Sequence, residues 1–157
     1  MKLSNKEKII KKLIEIGKTL SVSESCTGGK ISSEITKISG VSEIFLSSMI
    51  VYSNKSKSKF LKIDKKTIDK YGAVSEKTAK LMARNCLKIN NSDFAISTTG
   101  IAGPSGATKN KPIGLVFIGI ASKKRTYVYK FRFKGSRISI QNKITKKAFE
   151  LFYKILK

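Results

Sequence analysis

The hydrophobic period of this chain switches repeatedly between about 3.6 and 2 residues, and that alternation limits its fold more than any other feature. Ser4 followed by Glu7 reads as a capping box, and Ile9, Ile10, Leu13, Ile14 and Ile16 then form a helical stripe. They predict a helix over residues 5–16, stopped by Gly17. "TLSVSE" alternates as a strand, and from Thr27 the spacing of Ile31, Ile35 and Ile38 predicts a helix ending at Gly40. "FLSSMIVYS" reads as a second strand and "NKSKSKFLKI" as a short basic segment. Residues 64–71 read as a helix closed by Gly72. Ser75 caps a further helix with Ala79, Met82, Ala83, Cys86 and Leu87 on one face, which makes Cys86 a core residue. "DFAISTT" is a third strand, and "IGLVFIGIAS" and "TYVYKFRF", separated by "KKR", form an antiparallel hairpin. A last helix from Ser136 carries Ile140, Ile144, Ala148, Leu151, Phe152 and Ile155 on one side.

Strands in the middle of the chain, with helices between the first three, define an α/β pattern: a mixed β-sheet with helices on both faces. At 157 residues the chain is expected to form a single domain, 1–157, that needs no metal or disulfide staple. No apolar run approaches the roughly 20 residues of a membrane span, and "MKLSNKEKII" has charges where a signal peptide would be apolar, so a cytoplasmic protein without membrane contact is expected. Cys26 and Cys86 lie in different elements without CxxC spacing, which fits reduced thiols rather than a disulfide or zinc site.

The formal net charge of +23 raises nucleic acid as a partner. Lysines occur in nearly every segment, however, and no basic tail or arginine-rich block stands apart. A lysine-coated surface is therefore favoured over a nucleic-acid surface.

In α/β sheets ligands sit at the carboxyl ends of strands, and Ser25, Tyr52 and Gly100 all follow predicted strand ends. Ser25 and Cys26 are adjacent in "SESCTGGK", yet the chain contains no histidine, which excludes Ser-His and Cys-His arrangements. A serine nucleophile then needs a lysine or tyrosine base. "YSNKSK" offers both, Tyr52 at a strand end and Lys57 at the start of a helical turn. A lysine with a pKa of about 10.4 must drop by about three units, roughly 4 kcal/mol, to serve as a base at neutral pH. Burial supplies part of that shift, and Lys55, Lys59 and Lys62 are expected to push the same way as like charges. Tyr52 could relay the proton or hold the serine. "TGGK" at a helix start is an anion cradle or oxyanion site, although not a GxxxxGK[ST] phosphate loop. The loop "GIAGPSGATKNKP" holds Gly100, Gly103, Gly106 and both prolines, and its backbone donors permit close approach of a ligand.

With these motifs in order, the chain resembles the CinA carboxy-terminal family, the nicotinamide-nucleotide amidases. The resemblance rests on "ESCTGG" at 24–29, "YSNKSK" at 52–57, "YGAVSE" at 71–76, "TGIAGPSG" at 99–106, "KPIG" at 111–114 and "KGSR" at 134–137, and spans about residues 5–152. It implies a three-layer α/β/α sandwich that hydrolyses the carboxamide of nicotinamide mononucleotide to nicotinate mononucleotide and ammonia, without metal or cofactor. It carries over Ser25 as nucleophile, Lys57 as catalytic lysine and Tyr52 beside it, with Cys26 as a packed residue. Thr27, Gly28 and Gly29, together with Thr99, Gly100, Ala102 and Gly103, would contact substrate, and Arg137 would pair with its phosphate. Departures from the family pattern are Lys30 for an apolar residue, Ser47 and Ser48 for small glycines, Ala107 for a glycine and Ser136 for an aspartate. Longer CinA proteins carry an amino-terminal nucleotide-hydrolase domain, so a chain of this length is expected to be the stand-alone form, which resembles proteins that pair as dimers. Two other functions stay open at this point: a catalytically inactive nucleotide-binding protein of the same fold, and a basic nucleic-acid-binding protein.

Overall fold

The computed structural model describes residues 3–157. Helix α1, Asn5–Glu15, opens on the expected box: the Ser4 hydroxyl accepts from the Glu7 N–H and the Glu7 carboxylate accepts from the Ser4 N–H at 2.7 Å. Ile9, Ile10 and Leu13 are buried, each contributing roughly 1.5–3 kcal/mol through removal from water. Ile16, expected on that stripe, is instead the C-cap and 42% exposed, because the chain leaves the helix there and helical periodicity no longer aims its side chain.

Strand β1, Leu20–Glu24, leads through a turn into α2, Lys30–Thr36. This helix begins three residues later than predicted, because Gly28 and Gly29 adopt positive φ and wind the chain before it. It also ends before Ile38, which packs against the core from outside the helix. Strand β2, Phe45–Ile50, stops short of Tyr52, and Ser53 caps α3, Asn54–Leu61. Helix α4, Lys65–Tyr71, capped by Asp64, and helix α5, Glu76–Asn90, capped by Ser75, follow as expected. Strands β3, Phe94–Gly100, β4, Leu115–Ser122, and β5, Thr126–Arg132, precede α6, Arg137–Leu156, whose cap is Ser136.

The five strands form one sheet in the order β2-β1-β3-β4-β5, with β2, β1 and β3 parallel and β4 and β5 added as an antiparallel hairpin. Alternation along the strands sends Leu20, Val22, Ile96, Val116, Ile118 and Ile120 toward α1, α2 and α6, and these residues build the main core. The opposite face, covered by α3, α4 and α5, presents small residues: Ser21, Ser23, Ala95, Ser97, Gly119 and Ala121. Small residues let α5 lie close. A Cβ on Gly119 would stand 2.4 Å from Ser97 Oγ and 2.8 Å from the Ala79 carbonyl oxygen, and Ser97 Oγ donates to that same oxygen at 2.7 Å. Cys26 and Cys86 are both free and buried. Among the described residues no helix is long and apolar enough to cross a membrane.

Candidate active site

The carboxyl ends of β1 and β3 and the segments that follow β2 and β3 meet around a cavity of about 260 Å³. Ser25, Cys26, Tyr52, Lys57, Thr99, Gly100, Ala102, Gly103 and Arg137 all line it. A larger hollow of about 570 Å³ between α1, α2 and α6 shares no lining residue with it and is bordered by ion pairs such as Lys6–Glu34.

Ser25 follows β1 directly, and its N–H donates to the Thr98 carbonyl at 3.1 Å, which fixes it between the ends of β1 and β3. Its side chain meets Lys57, which α3 directs inward from its first turns. Lys57 is 1% exposed, and its Nζ donates to Ser25 Oγ at 3.0 Å, to the Val51 carbonyl at 2.8 Å and to the Tyr52 carbonyl at 3.1 Å. Burial lowers the amine from an ordinary 10.5 to about 8. Lys55, Lys59 and Lys62, expected to assist, are all exposed, and the shift comes from desolvation. The three partners also suit the neutral amine, whose two N–H groups match the two carbonyls while its lone pair faces the serine O–H.

Cys26 contrasts with its neighbour. Burial pushes its thiol up to about 12, so it carries no thiolate at neutral pH.

Tyr52 is placed differently from the sequence expectation. The residue is 60% exposed, and its hydroxyl accepts from Arg137 Nη2 at 2.8 Å, while its carbonyl accepts from Lys57. The residue stands outside β2, and the extended period that would have aimed the ring inward ends at Ile50. Arg137 opens α6 and donates its other guanidinium nitrogen to the Gly103 carbonyl at 2.7 Å. Neither partner is a carboxylate, and among the described residues no ion pair engages its positive charge beside the cavity. Thr99 is locked by donating Oγ1 to the Ala73 carbonyl at 2.8 Å.

Thr27, Gly28 and Gly29 do not line the cavity. Thr27 Oγ1 is paired with Thr98 Oγ1 at 2.7 Å, and the Gly28 N–H closes a turn onto the Ser25 carbonyl. The Gly29 N–H is occupied by a residue that sequence reasoning gave no role, Glu24. This carboxylate is fully buried and accepts from the N–H groups of Gly29, Ile31 and Ser32 and from Ser32 Oγ, at 2.6–3.2 Å. It neutralises the positive end of α2 from within, so that helix end is not an anion cradle. The Glu24 carbonyl also accepts from the Val51 N–H, which ties the serine turn to the segment holding Lys57. Among the described residues the N–H group of Cys26, which directly follows Ser25 and lines the cavity, donates to no backbone carbonyl.

These features define an α/β domain with a buried serine–lysine pair at the carboxyl edge of its parallel strands and a guanidinium lining the same cavity. The chain belongs to the CinA C-terminal domain family, whose profile matches residues 2–156. It is 50% identical over 139 residues to a CinA-like protein of Endomicrobium trichonymphae, covering 88% of this chain and 32% of that protein. It is 44% identical over 151 residues to a putative competence-damage inducible protein of Thermoanaerobacter pseudethanolicus, covering 96% of this chain and 37% of the other. The chain thus spans about a third of the length of these curated relatives. Among solved structures it superposes on a competence or damage-inducible protein of Enterobacter asburiae with a TM-score of 0.94 at 27% identity, covering 98% and 96% of the two chains. A competence/damage inducible protein of Agrobacterium tumefaciens matches with a TM-score of 0.91 at 30% identity, covering 100% of both.

Proposed function

We propose that this chain is a serine amidase that hydrolyses the carboxamide of nicotinamide mononucleotide to nicotinate mononucleotide and ammonia, a step of pyridine nucleotide salvage in the cytoplasm. The observation that carries the reading is the 3.0 Å contact between Ser25 Oγ and the buried amine of Lys57, whose pKa of about 8 leaves a usable neutral fraction. The substrate follows from the family resemblance, and Arg137 supports it as a free positive charge suited to a phosphate.

Neutral Lys57 accepts the Ser25 proton as Oγ attacks the amide carbon, while the Val51 and Tyr52 carbonyls hold the amine in place. The N–H group of Cys26, which lines the cavity beside the nucleophile, receives the developing oxyanion. Lys57 then returns the proton to the departing nitrogen, the C–N bond breaks, and ammonia leaves an acyl-serine. Water attacks that ester, giving its proton to Lys57, and nicotinate mononucleotide departs as Ser25 recovers its hydrogen.

The test is ammonia release from nicotinamide mononucleotide by the purified protein and by Ser25→Ala. A loss of at least 10³-fold in the variant is expected from removal of the nucleophile. An unchanged rate removes Ser25 from the mechanism, and saturable binding without ammonia favours the inactive nucleotide-binding reading instead.

A further inference from the structure

At the end of the sheet opposite Ser25, the β4–β5 turn and the outer face of α5 enclose a cleft of about 230 Å³. Six cations line it: Lys80, Arg84 and Lys88 from α5, and Lys123, Lys124 and Arg125 from the turn, with no acidic residue among them. Only Lys123 has a carboxylate partner among the described residues, Asp93 at 3.2 Å. Lys80, Arg84 and Lys88 are spaced i, i+4, i+8, so they form one stripe over about 12 Å of helix axis. Like charges at that spacing oppose helix formation, and among the described residues no carboxylate forms an ion pair with any of the three.

Lysine bias alone does not account for this cleft. The chain has 29 lysines and four arginines, and two of those four, Arg84 and Arg125, line it. Random coating would scatter so rare a residue, whereas a phosphate surface favours its planar, two-pronged donor. The lining contains no aromatic side chain on which bases could stack, and no exposed apolar residue that could enter a lipid layer. We propose that this cleft binds the phosphodiester backbone of duplex nucleic acid, without sequence preference and independently of the chemistry at Ser25.

The experiment measures fluorescence anisotropy of a labelled 30-base-pair duplex with the intact protein at several salt concentrations. Three double variants with equal charge loss are compared: Arg84→Gln/Arg125→Gln, Lys124→Gln/Arg125→Gln on the turn alone, and Lys11→Gln/Lys66→Gln on exposed sites elsewhere. Both cleft variants are expected to weaken binding at least tenfold and to lower the log–log salt slope by about 2, with the remote pair within twofold of the parent. Equal losses in all three variants would assign the binding to the diffuse +23 field and overturn the proposal. So would the absence of saturable binding, or binding of inorganic polyphosphate or anionic vesicles through these residues without binding of the duplex.

Discussion

The rate of an enzyme built on Lys57 must follow the protonation of one buried amine. With a pKa of about 8, that amine is neutral in about one-hundredth of molecules at pH 6, about one-tenth at pH 7 and about nine-tenths at pH 9. Ammonia release at saturating nicotinamide mononucleotide is therefore expected to rise about 90-fold between pH 6 and pH 9, with its midpoint near 8. The same shift appears in stability. Because the folded value lies below the ordinary 10.5, the unfolded chain holds more protons between pH 8 and pH 10.5, so stability rises with pH across that window. From pH 8 to pH 9 the gain is about 1 kcal/mol. The buried thiols of Cys26 and Cys86, both raised by burial from an ordinary 9.0, give an opposite trend as pH approaches and passes 9, so the amine's gain is read as the difference between the parent and the Lys57 variant. Urea unfolding at pH 7, 8 and 9 measures it, and Lys57→Met should abolish the rise while lowering turnover by about 10²–10⁴-fold. A flat rate profile between pH 6 and pH 9, or the same stability rise in the methionine variant, would refute the assignment of a neutralisable amine to Lys57.

Glu24→Gln places an amide NH₂ against N–H donors of the α2 turn. It is expected to cost about 2–4 kcal/mol in urea unfolding and to lower kcat more than tenfold with KM within a few-fold; wild-type kcat would show that the turn does not need its carboxylate. Tyr52→Phe removes the acceptor of Arg137 Nη2 and is expected to raise KM by about 3–10-fold while leaving the pH midpoint near 8. A midpoint moved by a full unit would instead place the phenol in proton transfer.

The fold was largely legible because caps and periodicity report local physics. Ser4, Asp64, Ser75 and Ser136 each mark a helix start, and the strand runs place all five strands. Helix α3 was read only as a basic segment with one helical turn. Its two buried residues are Leu61 and Lys57, and a lysine facing inward leaves no apolar stripe to detect. In the site, strand ends correctly suggested that Ser25 and the 52–57 segment meet, since ligand clefts in parallel sheets gather there. What sequence could not give was direction. Tyr52 turns to Arg137, and Thr27–Gly29 wind behind the cavity. The internal carboxylate also takes the helix donors, and its only signal was an acidic residue closing a predicted strand, a place where buried charge requires partners.

That internal carboxylate has a consequence for selectivity. With the positive end of α2 already satisfied, the attraction for an anion falls to Arg137, the only arginine lining the cavity among the described residues. The enzyme would then work as a calliper, gripping a substrate at two points whose separation is set by the protein. A nucleoside stripped of its phosphate, or nicotinamide by itself, would span only one jaw and would forfeit the leverage that presses the amide onto the serine.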